Sequence, residues 1–171
     1  MRYLIPVGSS DAALQTLSHL EAVASRGVKV EVVLLNVQPA FNRRASRLAS
    51  RAARDRFRAE RSGAALAGMT RRLSRAGICF RARTETGPLI ERIAATAEAE
   101  DADQILVGVA PPSQWLHWMM LPSLPQRVAL RTGIPVVSVP GGSEAPIERY
   151  LVRAGVAGIA LLAGLLLAAN Q

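Results

Sequence analysis

The last segment of the chain constrains its fold most strongly, because it stays apolar over a length close to that of a bilayer core. Residues 151–169 read LVRAGVAGIALLAGLLLAA, and nothing charged or polar lies between positions 154 and 169. As a helix rising about 1.5 Å per residue, this segment would extend for roughly 28 Å. A helix that is apolar on every face is either buried on all sides or spans a membrane.

A membrane span is the interpretation we favour, since a chain of 171 residues offers little core to surround a C-terminal appendage. The alternative is a docking helix in a dimer or on a larger partner. Arg149 and Arg153 precede the apolar stretch and no charge follows it. The positive-inside rule then predicts a single-pass tail anchor in a bacterial-type inner (plasma) membrane, with residues 1–148 cytoplasmic. No signal peptide is expected, because the first apolar run is short and contains Pro6.

Small residues recur at four-residue spacing along the predicted span, as at Ala160, Gly164 and Ala168. Such spacing lets helices approach closely in lipid. We therefore expect residues 149–171 to contact an integral membrane protein complex, with Arg153, Gly158 and Gly164 among the docking residues.

The remainder of the chain is long enough for one domain, predicted at residues 1–140 and followed by a linker at 141–148. The single cysteine, Cys79, excludes an internal disulfide and a cysteine metal cluster. Its setting, GICFRA, predicts a strand with a buried thiol. Glu98, Glu100, Asp101 and Asp103 cluster at a helix end, which is typical of a solvated turn.

Positive charge is concentrated in residues 43–83. This window holds thirteen of the 21 basic residues and only Asp55 and Glu60 as acids, so its net charge is +11. Anionic lipid headgroups are the expected partner, because a membrane tail stands on the same chain. Nucleic acid is the least favoured partner, since Phe41 and Phe57 are the only aromatic residues of the arginine-rich stretch 41–76 that could stack on bases.

Short apolar runs alternate with helical patterns five times. Strands are predicted at 2–7, 28–37, 78–84, 103–109 and 136–139, and helices begin near Asp11, Phe41, Pro88 and Ser123. This alternation predicts an α/β domain with a doubly wound five-stranded parallel sheet and helices on both faces, to which the C-terminal transmembrane helix is added.

Three stretches follow one another in an order that resembles the universal stress protein family: YLIPVGSSDAAL, TGPLIERIAATAEAEDADQILVG and RVALRTGIPVVSV. The resemblance covers about residues 2–140. It implies that fold, a role in stress response and, in many members, ATP binding. Those members use an acidic residue after the first strand and a loop of the form Gly-x2-Gly-x9-Gly-Ser/Thr after the fourth, where glycines let backbone amides surround phosphates.

The chain departs from this nucleotide pattern. Gly8 stands at the acidic position, Gly108 matches the first glycine, Pro111 replaces the second, and the third falls at Leu121 or Pro122. Proline removes an amide donor and fixes φ, so no cofactor is expected. If ATP is bound nevertheless, the resemblance implies contacts from Gly8, Ser9, Val37, Gly108 and Ser123.

The loop at 113–121, SQWLHWMML, contains both tryptophans. It either plugs the empty cleft or forms an exposed apolar patch for a membrane interface or partner. His117 is interpreted as a packed or interfacial residue. Because parallel strands end at one edge, we expect this loop, the start of the arginine-rich stretch and the tail to leave from that edge. The predicted docking residues there are Arg43, Arg44, Arg47, Arg51, Trp115, Leu116, Trp118, Met119 and Met120.

No hydrolase elbow, P-loop lysine motif or His-Glu-x-x-His sequence is present, so an enzyme is not expected. The first hypothesis is a membrane-anchored accessory or regulatory subunit that docks through its tail and the carboxyl edge of its sheet. The alternative is a membrane-tethered ATP/AMP-binding stress sensor. The resemblance also allows a homodimer that pairs through the last strand. A partner bound to the tail could occupy that edge of the sheet instead.

Overall fold

The computed structural model describes residues 1–8, 11–40, 50–109, 122–140 and 148–150. Strands and helices alternate along them: β1 Arg2–Pro6, a 3-10 helix Asp11–Gln15, α1 Thr16–Ala24, β2 Glu31–Gln38, α2 Arg51–Arg75, β3 Cys79–Thr86, α3 Leu89–Ala99, β4 Gln104–Val109, α4 Leu124–Ala129, β5 Val136–Pro140 and β6 Glu148–Tyr150. The strands form one sheet in the order β3-β2-β1-β4-β5-β6. The first five are parallel, which confirms the predicted doubly wound α/β fold.

Both faces of the sheet are covered, as the continuous apolar runs in its central strands require. Tyr3 and Ile5 of β1 face one core, where α1 and α2 contribute Leu20 and Met69. Leu4, between them, faces the other core together with residues of α3 and α4. Successive residues of one strand therefore serve opposite cores.

Helix α2 packs along only part of its length. Its buried residues, Ser62, Leu66, Met69 and Leu73, lie in its second half, and its N-terminal part is largely exposed. The Ser50 side chain caps the helix by accepting a hydrogen bond from the Ala53 N–H at 3.1 Å. Residues 41–49 of the longer predicted helix lie outside the described residues. The predicted helix start at Pro88 is wrong by one residue, since Pro88 is the extended N-cap of α3.

Cys79 is exposed, so the prediction of a buried thiol is wrong. β3 is an edge strand, and the face to which Cys79 belongs also carries Arg81 and Arg83, which are about half exposed. The local sequence resembles a buried strand, but β3 lies at the edge of the sheet, where Cys79 stays exposed.

β6 was not expected. It takes up the last residue of the predicted linker and the first two of the predicted tail, and it runs antiparallel to β5. Tyr150 pairs with Val136, the first residue of β5, so the described chain ends at the amino edge of the parallel strands. The expectation that the chain leaves toward its tail from the carboxyl edge is therefore wrong. Across the described ranges, no helix has the length and hydrophobicity needed to cross a membrane. The predicted span lies outside them.

Candidate functional site

A cleft of about 510 Å³ opens at the carboxyl ends of β1, β2 and β4. Strand order reverses between β1 and β4, and open α/β sheets bind ligands at such a reversal. The volume is within the range of small-molecule sites. Its described lining consists mainly of apolar and small residues: Pro6, Val7, Gly8, Ala12, Ala13, Leu35, Asn36, Val37, Gln38, Pro39, Arg61, Ala64, Ala65, Leu89, Val107, Gly108 and Leu124.

Two buried carboxamides hold the walls of this cleft together. Asn36 Nδ2 donates to the Val7 carbonyl oxygen at 2.8 Å, which joins β2 to the end of β1. Gln38 Nε2 donates to Asn36 Oδ1 at 3.2 Å and to the Arg58 carbonyl oxygen at 2.9 Å, which ties β2 to α2. These amide donors are therefore used inside the protein, where they maintain the shape of the cleft.

Gly108 is required by packing. A Cβ built at this position would lie 1.8 Å from the carbonyl oxygen of Ala12 and 2.4 Å from its carbonyl carbon. The 3-10 helix that contains Ala12 thus rests directly on the backbone of β4. Gly8 differs, because a Cβ built there meets nothing within 4 Å.

The charge at the cleft comes from α2. Arg61 is the charged residue among the described lining residues, and none of those is acidic. Its guanidinium carbon lies 6.0 Å from the centroid of the Phe57 ring, close enough for a cation–π contact. Phe57 is itself 49% exposed. The cation of the cleft lining is therefore next to an exposed ring on the preceding turn of α2, which is not itself a lining residue.

The structure brings three of the residues predicted for a nucleotide site to one cleft, namely Gly8, Val37 and Gly108. Ser123 is the N-cap of α4, where its N–H donates to Gln126 Oε1 at 2.8 Å; its neighbour Leu124 lines the cleft. Ser9 lies outside the described residues.

Of the predicted docking residues, the structure describes Arg51. It begins α2 with a largely exposed side chain, and its Nε lies 3.9 Å from Asp55 Oδ2. The other docking residues lie outside the described part of the chain: Arg43, Arg44, Arg47, Trp115, Leu116, Trp118, Met119, Met120, Arg153, Gly158 and Gly164.

One acidic residue of the predicted solvated turn is buried instead. The Glu100 side chain is 3% exposed, and its carboxylate contacts Arg81 Nε at 3.3 Å and Arg83 Nε at 2.5 Å. Its backbone carbonyl oxygen accepts from Arg2 Nη1 at 2.6 Å. This cluster joins the edge strand to the end of α3. Within the described ranges, no group of acidic, histidine or cysteine side chains is arranged to hold a metal ion.

The comparisons with known proteins agree with this geometry. The model of the universal stress protein family matches residues 1–140. No match was found among curated proteins. The solved structure of the hypothetical protein MJ0577 superposes with a TM-score of 0.64 at 20% identity, over 84% of this chain and 97% of the other.

Two further solved structures are similar at the level of the fold. A universal stress protein from Arabidopsis thaliana with AMP bound has a TM-score of 0.59 at 16% identity, covering 84% of this chain and 93% of its own. A universal stress protein in complex with cAMP gives 0.59 at 20% identity, covering 81% and 96%. Because the family model spans most of the sequence, this chain belongs to the universal stress protein family.

Proposed function

We propose that this chain is a non-enzymatic, membrane-tethered universal stress protein that serves as an accessory or regulatory subunit of an integral membrane protein complex. The observation that carries the proposal is the chemistry of the cleft at the carboxyl edge. Its described lining contains no acidic residue, the carboxamides of Asn36 and Gln38 donate to carbonyls within the protein, and Gly108 packs against Ala12.

These commitments work against nucleotide binding in the family's manner. Gly8 offers no carboxylate at the strand exit where the family resemblance implies one. Turning the amide of Asn36 toward a ligand would leave the buried Val7 carbonyl without this donor, and turning Gln38 would break its bond to the Arg58 carbonyl of α2. An unsatisfied buried carbonyl costs about 1–3 kcal/mol, which the ligand would have to offset.

The tether rests on the sequence of residues 151–169, which are apolar over the length of a bilayer core. The small residues at Ala160, Gly164 and Ala168 favour a helical partner in the membrane over bare lipid. The absence of enzyme motifs from the sequence supports a role in assembly or regulation.

A second candidate function is a membrane-tethered ATP/AMP-binding stress sensor. The specific observation in its favour is Arg61 at the mouth of a cleft of about 510 Å³, which suits an anionic ligand of nucleotide size. The AMP and cAMP complexes of similar fold also support this second candidate function.

The test is to purify the full-length chain from its native membranes in mild detergent, after salt and carbonate washes that remove peripheral proteins. The proposal expects membrane subunits at fixed stoichiometry, lost when residues 147–171 are deleted. Gly158→Leu with Gly164→Leu is the matched control, because it keeps the tail apolar while blocking close helix contact. This variant should stay in the membrane without the partner. Recovery of the wild-type chain alone, with nucleotide bound, would favour the sensor.

A further inference from the structure

The pairing of β6 determines where the described chain ends relative to the cleft. Glu148 lies opposite Ser138, Arg149 opposite Val137, and Tyr150 opposite Val136. Val136 begins β5, and the cleft lies at the other ends of the strands. Eight residues of β2 at about 3.3 Å each separate the two edges by roughly 26 Å.

This pairing leaves almost no slack before the tail. The predicted span begins at residue 151, directly after Tyr150, and its uncharged part begins at residue 154; the three residues between them can extend over at most about 11 Å. Residues 141–148 would have given the domain freedom to turn if they formed a linker throughout. With β6 in the sheet, the start of the tail is held at the amino edge.

The amino edge carries side chains suited to a headgroup layer. Leu130 follows α4 and is 72% exposed, and the exposed Arg131 stands next to it. The helix that this pair follows, α4, contacts β6. Further exposed basic residues lie at the ends of α1 and α2, namely Arg26, Arg72 and Arg75. Acidic groups lie at this edge as well: Glu31 contacts Arg2 at 3.3 Å and Asp103 accepts from the Arg2 N–H at 2.6 Å, while Glu98 and Asp101 at the end of α3 are exposed.

We infer that the amino edge of the sheet faces the bilayer, with Leu130 and Arg131 at the level of anionic lipid headgroups and the cleft turned away into the water. This inference rests on the proposed membrane tether and specifies its geometry. The cleft, with Arg61 in its lining, is then open to ligands or proteins arriving from solution. An apolar side chain beside an arginine suits the interface, where the guanidinium meets phosphate and the leucine meets acyl chains.

The native cysteine makes the test direct. Cys79 is exposed and begins β3 at the amino edge, so a donor fluorophore attached to it reports the distance of that edge from the membrane. Ala59→Cys combined with Cys79→Ser moves the label to an exposed position of α2 at the carboxyl edge, next to the Arg58 carbonyl that Gln38 binds. Both proteins are used full-length in vesicles of phosphatidylcholine and phosphatidylglycerol that contain acceptor-labelled lipid.

The expected result is stronger energy transfer from Cys79 than from position 59, with distances to the lipid surface that differ by roughly the length of the sheet, about 26 Å. Equal transfer, or stronger transfer from position 59, would overturn the inference. The inference would also be overturned if the two labels differed only when a membrane protein was present in the vesicles. The amino edge would then contact protein instead of lipid. Protein washed from the vesicles by carbonate would instead refute the tether, which flotation detects before any distance is measured.

Discussion

The backbone of Gly108 contacts the carbonyl group of Ala12 so closely that a Cβ at position 108 would lie 1.8 Å from the Ala12 oxygen. The glycine that matches the family's phosphate loop is thus held by packing between β4 and the 3-10 helix. Its presence is explained without a bound phosphate, although it lines the cleft.

Gly108→Ala should therefore destabilise the domain by about 3 kcal/mol or more, because the methyl group meets backbone that cannot move without displacing the 3-10 helix. Urea unfolding followed by circular dichroism measures the change. Gly8→Ala is the matched control: the same methyl group at the same cleft meets nothing within 4 Å, and stability should change by less than about 0.5 kcal/mol. Equal stability of the two variants would contradict the packing role of Gly108.

The carboxamide of Gln38 should stabilise the contact between β2 and α2. Gln38→Leu removes the donor to the Arg58 carbonyl oxygen of α2 and also leaves the buried Asn36 Oδ1 without the N–H that it accepts from Gln38. The expected loss is about 1–3 kcal/mol of the unfolding free energy, with faster amide exchange in the first half of α2. Arg56→Ala serves as control, since it breaks an exposed pair with Glu60 on the same helix and should cost less than about 0.5 kcal/mol. If the rate of amide hydrogen exchange in α2 were unchanged after Gln38→Leu, the Gln38 side chain would not be stabilising the contact between β2 and α2.

Glu100→Gln should weaken the attachment of β3. The substitution keeps the shape of a side chain that is 3% exposed but removes the charge facing Arg81 and Arg83. Because both arginines are about half exposed and screened by water, we expect a loss of about 1–2 kcal/mol, below the full cost of breaking a buried pair. Thermal unfolding measures it. Glu98→Gln, on an exposed neighbour in the same helix, is the control; a similar loss in both variants would refute the assignment.

Tyr3 gives a pH dependence on the alkaline side. Burial, and secondly the negative charge of Asp103, raises the pKa of the Tyr3 phenol above its ordinary value of 10.0. The folded state holds this proton more tightly than the unfolded chain, so the stabilising contribution is complete below pH 10 and is lost as the pH rises beyond it. Tyr3→Phe should flatten the fall of stability above pH 10, as measured by urea unfolding. An unchanged slope would show that other groups cause the fall.

The sequence predicted the fold well because its signals there are local. The run at 31–37 is apolar on successive residues, and the sheet buries both sides of it, as Val33 and Leu34 show. β1, β4 and β5 were recognisable in the same way. The edge of the sheet that carries the cleft followed from the parallel direction of the strands.

The errors arose where the answer depends on distant parts of the chain. The exposure of Cys79 follows from the position of β3 at the edge of the sheet, which its own apolar neighbours do not encode. Glu100 is buried because Arg81 and Arg83 reach it from another strand. The short sequence of β6 has no strand pattern of its own and pairs because β5 offers an open edge. The same long-range origin applies to Asn36 and Gln38, whose partners come from β1 and α2.

β6 also has a consequence for self-association. Family members often pair through their last parallel strand, but here the backbone edge of β5 is occupied from Val136 to Ser138 by the chain's own β6. A chain that ends at residue 150 should therefore be monomeric. A chain that ends at residue 140 exposes that edge and should dimerise, because an unpaired edge strand is a template for another strand. Both forms lack the tail, so they differ only in residues 141–150. Light scattering after size-exclusion chromatography measures the masses across a concentration series, and a dimer of the longer form with the same affinity as the shorter one would show that β6 does not close this edge.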